Sequence, residues 1–401
     1  MRIAFEVFGG PGWMGGINYL ANLLTAISEL PGRPITPVLF TGPDVDPEIL
    51  SRLSPYLFEP PMQSAAWSNS AWAKRWRTVG ALALRRDFAA ARAFKDASID
   101  LVFAHATWYG SRFPFPTLVW IGDFQHRVLP HMFSAVRYWK REMGFRMLTR
   151  YGTTIMASSE TGCHECETFY PAARGKLAAL PFVVRVPDDA MIVSPQDVRR
   201  RYNLPEKFFF MPNQFWRHKN HLGVIEALHL LKQEGQEVVV AVPGSSSDPR
   251  DPRHFPALVD KVKYYGLEGN FRLLGMIPCL DLFSLMRASI GLLNPSFYEG
   301  WSTTVEEAKS IGVPLFLSNL PVHREQVGND CLYFDPANPF NVAEVLARAW
   351  VQGWPGPHLE LEARAAEQIE QRRLDFATNF LIIAEQTVQK FYGRVGSYAE
   401  A

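Results

Sequence analysis

At 401 residues the chain is long enough for two domains, each with its own core. Its 41 Lys and Arg against 40 Asp and Glu leave a net charge of +1, which excludes the global basic field of a dedicated nucleic-acid binder. Hydrophobic residues at 47% and charged residues at 20% exclude a disordered scaffold.

The run from Met1 to Phe8 is too short for a secretion signal and contains Glu6, and no stretch approaches the roughly 18 uncharged apolar residues of a membrane span. Four cysteines, at 163, 166, 279 and 331, are too few and too unevenly spaced for a disulfide framework. Both features point to a cytoplasmic protein.

Runs rich in β-branched and aromatic residues alternate with segments of helical period, which predicts βα units around parallel sheets. In the first half the expected strands are Arg2 to Phe8, Ile35 to Thr41, Ile99 to His105, Thr117 to Asp123, Thr153 to Ser159 and Leu177 to Val184, with a first helix over Gly16 to Leu30. Pro187, Asp188, Asp189 and Pro195 interrupt the apolar pattern and place a linker between Val184 and Tyr202.

The alternation then starts again. Strands are expected at Phe208 to Asn213, Glu237 to Pro243, Phe271 to Met276, Ile290 to Pro295, Pro314 to Ser318 and Cys331 to Asp335. Helices fall near Asn220 to Glu234, His254 to Tyr265, Cys279 to Arg287, Thr303 to Ile311 and Phe340 to Trp350, and Leu359 to Val395 reads as one or two long helices. Each strand is expected to lead through a loop into a helix, so the carboxyl edge of each sheet offers a ligand crevice.

Within this frame five segments carry possible chemistry. Phe8-Gly-Gly-Pro-Gly-Trp-Met-Gly-Gly-Ile-Asn18 joins the first strand to the first helix, and its glycines permit close backbone approach, although it does not fit G-x-G-x-x-G. The run Trp120-Ile-Gly-Asp-Phe-Gln-His126 carries Asp123 and His126 from a strand end into a loop, and His105 ends another strand. Between Lys74 and Lys95 seven basic residues meet one acid, Asp87, in the company of Trp67, Trp72, Trp76 and Phe88. That stretch suits either an anionic membrane surface or a solvated helix with inward-packed tryptophans. By contrast, Cys163-His-Glu-Cys166 reads as two packed cysteines, because an isolated pair leaves a metal under-coordinated.

The fourth segment, Met211-Pro-Asn-Gln-Phe-Trp-Arg-His-Lys-Asn-His221, ends a strand and opens a helix, with Arg217 and Lys219 able to neutralise a diphosphate. The fifth and sharpest runs from Asn294 through Gly300 into a helix. Ser302, Thr303 and Thr304 are expected as N-cap hydroxyls, and the open amides of the first turn favour an anionic ligand. Glu299 and Glu307 flank that turn, and a carboxylate accepts well from vicinal sugar hydroxyls. The plainer reading is that Glu306 and Glu307 merely complement the helix N-terminus.

Glu299 and Glu307 have the spacing of the E-x7-E element, and the segment resembles that of the retaining GT-B glycosyltransferases of family 4, the group 1 transferases. The resemblance implies two Rossmann-like α/β domains across a cleft: 1–186 for the acceptor, 187–375 for the nucleotide-sugar donor, and a helix over 376–401 returning to the first domain. It implies Glu299 near the donor sugar, Glu307 on the ribose hydroxyls, Ser302 to Thr304 at the diphosphate, and Gly15-Gly16 at the donor phosphate or acceptor. Lys219 with Asn220 resembles the Lys end of the family's phosphate-gripping pair, whereas Asn213 stands about where the family has Arg, and Arg217 is the nearby substitute. Family members often place a His at the strand end occupied here by Gly122-Asp123, which leaves Asp123 and His126 as candidates for that role, with His105 behind them.

The implied activity is retaining transfer of a sugar from a nucleotide diphosphate sugar to a glycan or lipid-linked glycan acceptor, with no metal and no other cofactor. Peripheral membrane contact through residues 67–95 fits such an acceptor and a place at the inner face of the membrane. Nucleic acid is not an expected partner. The alternatives are a nucleotide-sugar epimerase of the same fold and a catalytically inactive sugar-nucleotide-binding subunit.

Overall fold

The structure, a computed structural model, describes residues 1–9, 14–68, 70–246, 248 and 250–399. The chain forms two compact units. One comprises Met1–Arg127, Ser134–Val183 and Gln371–Ala401, and the other comprises Val128–Phe133 and Val184–Glu370.

Among the described residues the first unit is built on seven parallel strands: β1 (Arg2–Glu6), β2 (Thr36–Thr41), β3 (Met62–Gln63), β4 (Leu101–His105), β5 (Thr117–Ile121), β6 (Thr154–Ala157) and β7 (Leu177–Ala179). Their order is β3-β2-β1-β4-β5-β6-β7, so the strands, all parallel, are added outward to one side of β1 and then, from β4, to the other. A crevice opens at such a reversal of order, and His105, at the end of β4, sits there. Residues 10–13 of the glycine-rich turn lie outside the described residues; Gly15 and Gly16 open the helix Met14–Ser28.

One expectation is overturned here. No helix follows β4 among the described residues: positions 106–116 run directly to β5. Pro114 and Pro116, each lacking an amide hydrogen, deny the segment a helical ladder. Its rings pack instead, with Tyr109, Phe113 and Phe115 each edge-on to Phe94 at about 6 Å.

The basic aromatic stretch forms two helices, Ala71–Ala83 and Phe88–Asp96, separated where Arg85 adopts a left-handed φ of 59°. Its charges are not all on the surface. Arg77 turns inward to Glu6 (3.0 Å) and Asp87 (2.7 Å), and Asp87 also caps the second helix through the Ala90 amide.

The second unit has six parallel strands among the described residues: β8 (Phe209–Phe210), β9 (Val240–Pro243), β10 (Phe271–Gly275), β11 (Leu292–Asn294), β12 (Leu315–Ser318) and β13 (Leu332–Phe334). They are ordered β10-β9-β8-β11-β12-β13. Phe208, Phe209 and Phe210 show why the run is uninterruptedly apolar: Phe209 enters the core with Val224, Leu228 and Leu346, while Phe208 and Phe210 enter the opposite core with Leu285, Val305 and Leu317.

The chain ends in one helix, Leu359–Ala399. Its beginning belongs to the second unit. There Glu362 meets Arg287 at 2.9 Å, and Gly312, at φ 67°, leaves room that a Cβ would fill at 2.2 Å from the Leu361 backbone. Its later turns belong to the first unit, where Phe380 packs on Phe5 and Phe103 and the Thr387 and Thr154 hydroxyls lie 2.8 Å apart.

Candidate active site

In the second unit β11 ends at Asn294, Pro295 stops the ladder, and the following loop closes on the Asn294 amide. Asn294 Nδ2 donates to Ser302 Oγ (2.8 Å), and its Oδ1 accepts from the Ser296 hydroxyl (2.7 Å). Gln326, from the helix Pro321–Val327, clamps the same loop by donating to Ser302 O (3.0 Å) and to Glu306 Oε2 (2.9 Å). These buried bonds hold the loop before any ligand arrives.

The capping expectation is corrected by this network. Ser302 occupies the N-cap position of the helix Thr303–Ser310, but its hydroxyl bonds Asn294 and makes no cap. The amides of the first turn are therefore left without a side-chain acceptor from the cap, the state that suits an anion.

Glu299 leaves this loop to meet Lys219 at 2.6 Å, and Ser296 Oγ lies 2.6 Å from the same carboxylate oxygen. Lys219 is presented by a short 3-10 turn, Arg217–Lys219, that follows β8. Asn220 ends the turn at φ 53° and caps the next helix, His221–Gln233, through the Gly223 amide. Burial opposes ionisation of Glu299, but the Lys219 ammonium, with His218 nearby, reverses this and holds the carboxyl at about 2.

The two glutamates of the helix divide their roles. Glu306 is buried and committed to Gln326, whereas Glu307 is half-buried and burial pushes its carboxyl up to about 7. Past the end of β8, Asn213 is 2% exposed and neither atom of its amide has a hydrogen-bond partner in the protein. Arg217 is half-exposed and approaches Asp251 at 3.9 Å.

The first unit holds the other candidates. Asp123 accepts from the Gln125 amide (2.8 Å) and pairs with Arg141 (2.7 Å), with part of its carboxylate open to solvent. His126, expected near a reacting sugar, is instead fully buried, with Nε2 3.1 Å from the Tyr170 hydroxyl and 3.3 Å from Glu142. Burial holds it at about 4, so the ring is neutral near pH 7 and serves as a post for the loop. His105 is likewise held at about 4 by burial, with Nδ1 3.2 Å from the Trp120 carbonyl and its ring against those of Phe8 and Trp120.

The structure thus brings Glu299 and Lys219 into direct contact and anchors both to the strand ends that lead to Ser302, Thr303, Thr304 and Glu307. Gln326 and His323 are site residues that sequence reasoning missed. The available signal was positional, since both lie just after the strand end at Ser318. Among the described residues no cluster of three His, Cys, Asp or Glu is placed to hold a metal ion.

With this geometry in hand, comparisons place the chain among known proteins. Residues 196–371 match the family described as glycosyl transferases group 1. O-antigen chain mannosyltransferase B of Escherichia coli is 44% identical over 69 residues, 17% of this chain and 18% of that protein. The O-antigen biosynthesis glycosyltransferase WclY of Escherichia coli is 39% identical over 57 residues, 14% of this chain and 16% of that protein. The aligned stretches therefore span less than a fifth of either relative. Over nearly the whole chain the fold is that of Anabaena Alr3699/HepE in complex with UDP and glucose, at TM-score 0.64 and 18% identity, covering 96% of this chain and 99% of that one. Sucrose-phosphate synthase of Thermosynechococcus elongatus gives 0.64 at 17% identity and 99% of each chain.

Proposed function

We propose that this GT-B chain, whose second unit is a glycosyl transferases group 1 domain, moves a sugar from a nucleoside diphosphate sugar to a glycan or lipid-linked glycan acceptor, with retained anomeric configuration and without a metal ion. One observation carries the reading: a buried Lys219–Glu299 pair stands beside a helix N-terminus that has no side-chain cap, at the carboxyl edge of a parallel sheet. The name of one relative, a mannosyltransferase, and the UDP and glucose held by a protein of the same fold support it.

As the glycosidic bond breaks, negative charge builds on the leaving β-phosphate. Lys219 and the amides at the start of the helix Thr303–Ser310 offset that charge, which is the service a divalent ion gives elsewhere. Held at about 2, Glu299 is ionised throughout the working pH range, so it acts as a fixed negative charge beside the sugar and not as a proton donor. Glu307 accepts from the ribose hydroxyls. The acceptor hydroxyl enters on the face that the phosphate leaves and gives its proton to the departing oxygen. Asp123, the candidate left partly open in the first unit, is assigned to the donor sugar, and Gly15 and Gly16 to the donor phosphate or the acceptor.

Thermal unfolding against UDP, GDP, ADP, dTDP and CMP, each with and without EDTA, tests the donor site. A ligand at ~100 times its Kd adds about 2.7 kcal/mol. A shift from one diphosphate that survives EDTA supports the reading, and no shift from any of them refutes it. Glu299→Ala should abolish turnover while nucleotide affinity stays, whereas release of a new sugar nucleotide without acceptor would favour an epimerase.

A second contact belongs to the same proposal. Trp72 and Trp76 are 71% and 59% exposed, and Leu82, Leu84 and Phe88 are exposed with them, among Arg75, Arg86 and Arg92. We assign this face, within residues 67–95, to the anionic inner face of a membrane. Equal partition into neutral and anionic liposomes would refute it. No helix among the described residues is long and apolar enough to cross a membrane.

A further inference from the structure

His323 sits in the first turn of the helix Pro321–Val327, immediately after β12. Because β11 and β12 are parallel neighbours, the loop bearing Glu299 and the turn bearing His323 leave the sheet side by side. The Ser318 hydroxyl ties them together, 2.7 Å from Ser296 O and 3.1 Å from Asn294 O. The His323 ring is completely buried and lies within electrostatic reach of both Glu299 and Lys219.

The ring's tautomer follows from one contact. Nδ1 lies 2.9 Å from the Ser318 carbonyl, and a carbonyl oxygen only accepts, so Nδ1 carries a hydrogen. Burial lowers the pKa of the ring and keeps it neutral, which leaves Nε2 with a lone pair and no hydrogen. That Nε2 is buried and has no hydrogen-bond partner in the protein. A buried acceptor left empty is costly, and in a site it marks where a ligand donates.

The chemistry of the empty position selects the ligand group. Phosphate oxygens at neutral pH have little hydrogen to offer, so an unpartnered lone pair within electrostatic reach of Glu299 does not serve the diphosphate. A sugar hydroxyl does have a hydrogen to give, and Glu299 is the side chain already assigned to the sugar.

We propose that His323 Nε2 accepts a hydrogen bond from one hydroxyl of the donor sugar, next to Glu299, so that the site selects a hexose with that hydroxyl free and rejects the deoxy or O-alkylated counterpart. The inference rests on the donor-site reading given above and adds a specificity-determining residue to it. A site built to bond a hydroxyl discriminates strongly against the analogue that lacks it, because its own polar group is then left unpaired.

His323→Asn keeps an amide for Ser318 O and deletes the unpartnered acceptor, whereas His323→Gln returns an amide oxygen to about the Nε2 position. The donors are UDP-glucose and GDP-mannose, with analogues of whichever is turned over that are deoxygenated at one of C2, C3, C4 or C6. We expect His323→Asn to lower kcat/KM by about 10- to 100-fold with UDP or GDP affinity unchanged within about twofold, and His323→Gln to recover part of the loss. With one deoxy donor, wild type and His323→Asn should become equal. If His323→Asn does not fold, the same position is read on wild type as a loss of about 10-fold or more for one deoxy donor without loss of diphosphate affinity. The proposal is overturned if the variant loses the same factor with every deoxy donor, if diphosphate affinity falls with kcat/KM, or if activity is unchanged. Wild type that binds neither UDP nor GDP overturns the donor-site reading as well, whereas binding without a His323 effect overturns this inference only.

Discussion

Replacing Lys219 with Met removes the ammonium from the buried pair and keeps most of the stem's bulk. Glu299 is held at about 2, against 4.5 for an ordinary glutamate, a gap of about 2.5 that at 1.36 kcal/mol each amounts to about 3 kcal/mol. The folded-state value is the lower one, so this stability is fully present above about pH 4.5 and is lost as the pH falls toward 2. Lys219 is the principal charge holding the carboxyl down, with His218 a lesser one, so Lys219→Met should cost the second unit about 2 to 3 kcal/mol at pH 7.5. The assay is hydrogen exchange of the β8 and β11 amides in wild type, Lys219→Met, Glu299→Gln and the double variant. The double variant should recover much of the loss, giving a coupling near 2 kcal/mol that about halves by pH 3. A coupling under about 0.5 kcal/mol at pH 7.5, or one that does not shrink in acid, would refute the reasoning.

Glu307→Gln tests the opposite case. Burial raises this carboxyl from 4.5 to about 7, so its contribution to stability is present below pH 4.5 and lost as the pH rises through 7; the variant should gain about 1 to 3 kcal/mol at pH 8, nothing at pH 4, and bind UDP or GDP at least about 10-fold more weakly by calorimetry. Gln326→Leu strips buried partners from both Ser302 and Glu306, and should cost about 1 to 3 kcal/mol and weaken nucleotide binding together, read by thermal unfolding with and without the nucleotide. His126→Phe should lower the unfolding temperature, because Glu142 and Tyr170 lose a buried partner, yet leave kcat of the folded fraction within about threefold. Asp123→Asn should do the reverse.

The architecture was legible because two properties of the chain agree along its length: continuous apolar runs of strand length, and helical periods between them. Phe208–Phe210 is the clearest instance, since a strand buried on both faces shows no alternation to mislead the reader. The connection after β4 was not legible, because its aromatic content looks like ordinary core material and only Pro114 and Pro116 argue against a helix.

At the site, local chemistry could be read and long-range partners could not. Glu299 and Lys219 are recognisable from their own segments, but nothing in either segment says that an atom 80 positions away lies at 2.6 Å. His126 shows the converse limit. A polar residue at a strand end has the same local signature whether it faces a crevice or, as here, a glutamate and a tyrosine contributed by Glu142 and Tyr170. Ser302 has the composition of a cap, yet Asn294 claims its hydroxyl first.

The last helix has a consequence for biosynthesis. Phe380 and Thr387 reach the first unit from the far end of the chain, so a ribosome that has finished β7 has not yet delivered part of the apolar surface on which Phe5 and Phe103 settle. The second unit, drawn from Val184–Glu370 apart from a short earlier stretch, can complete its core sooner. The half that begins first therefore closes last, and a nascent chain stalled near residue 370 exposes the unfinished face of β1 and β4. Such a chain should need chaperone shelter that the full-length protein does not.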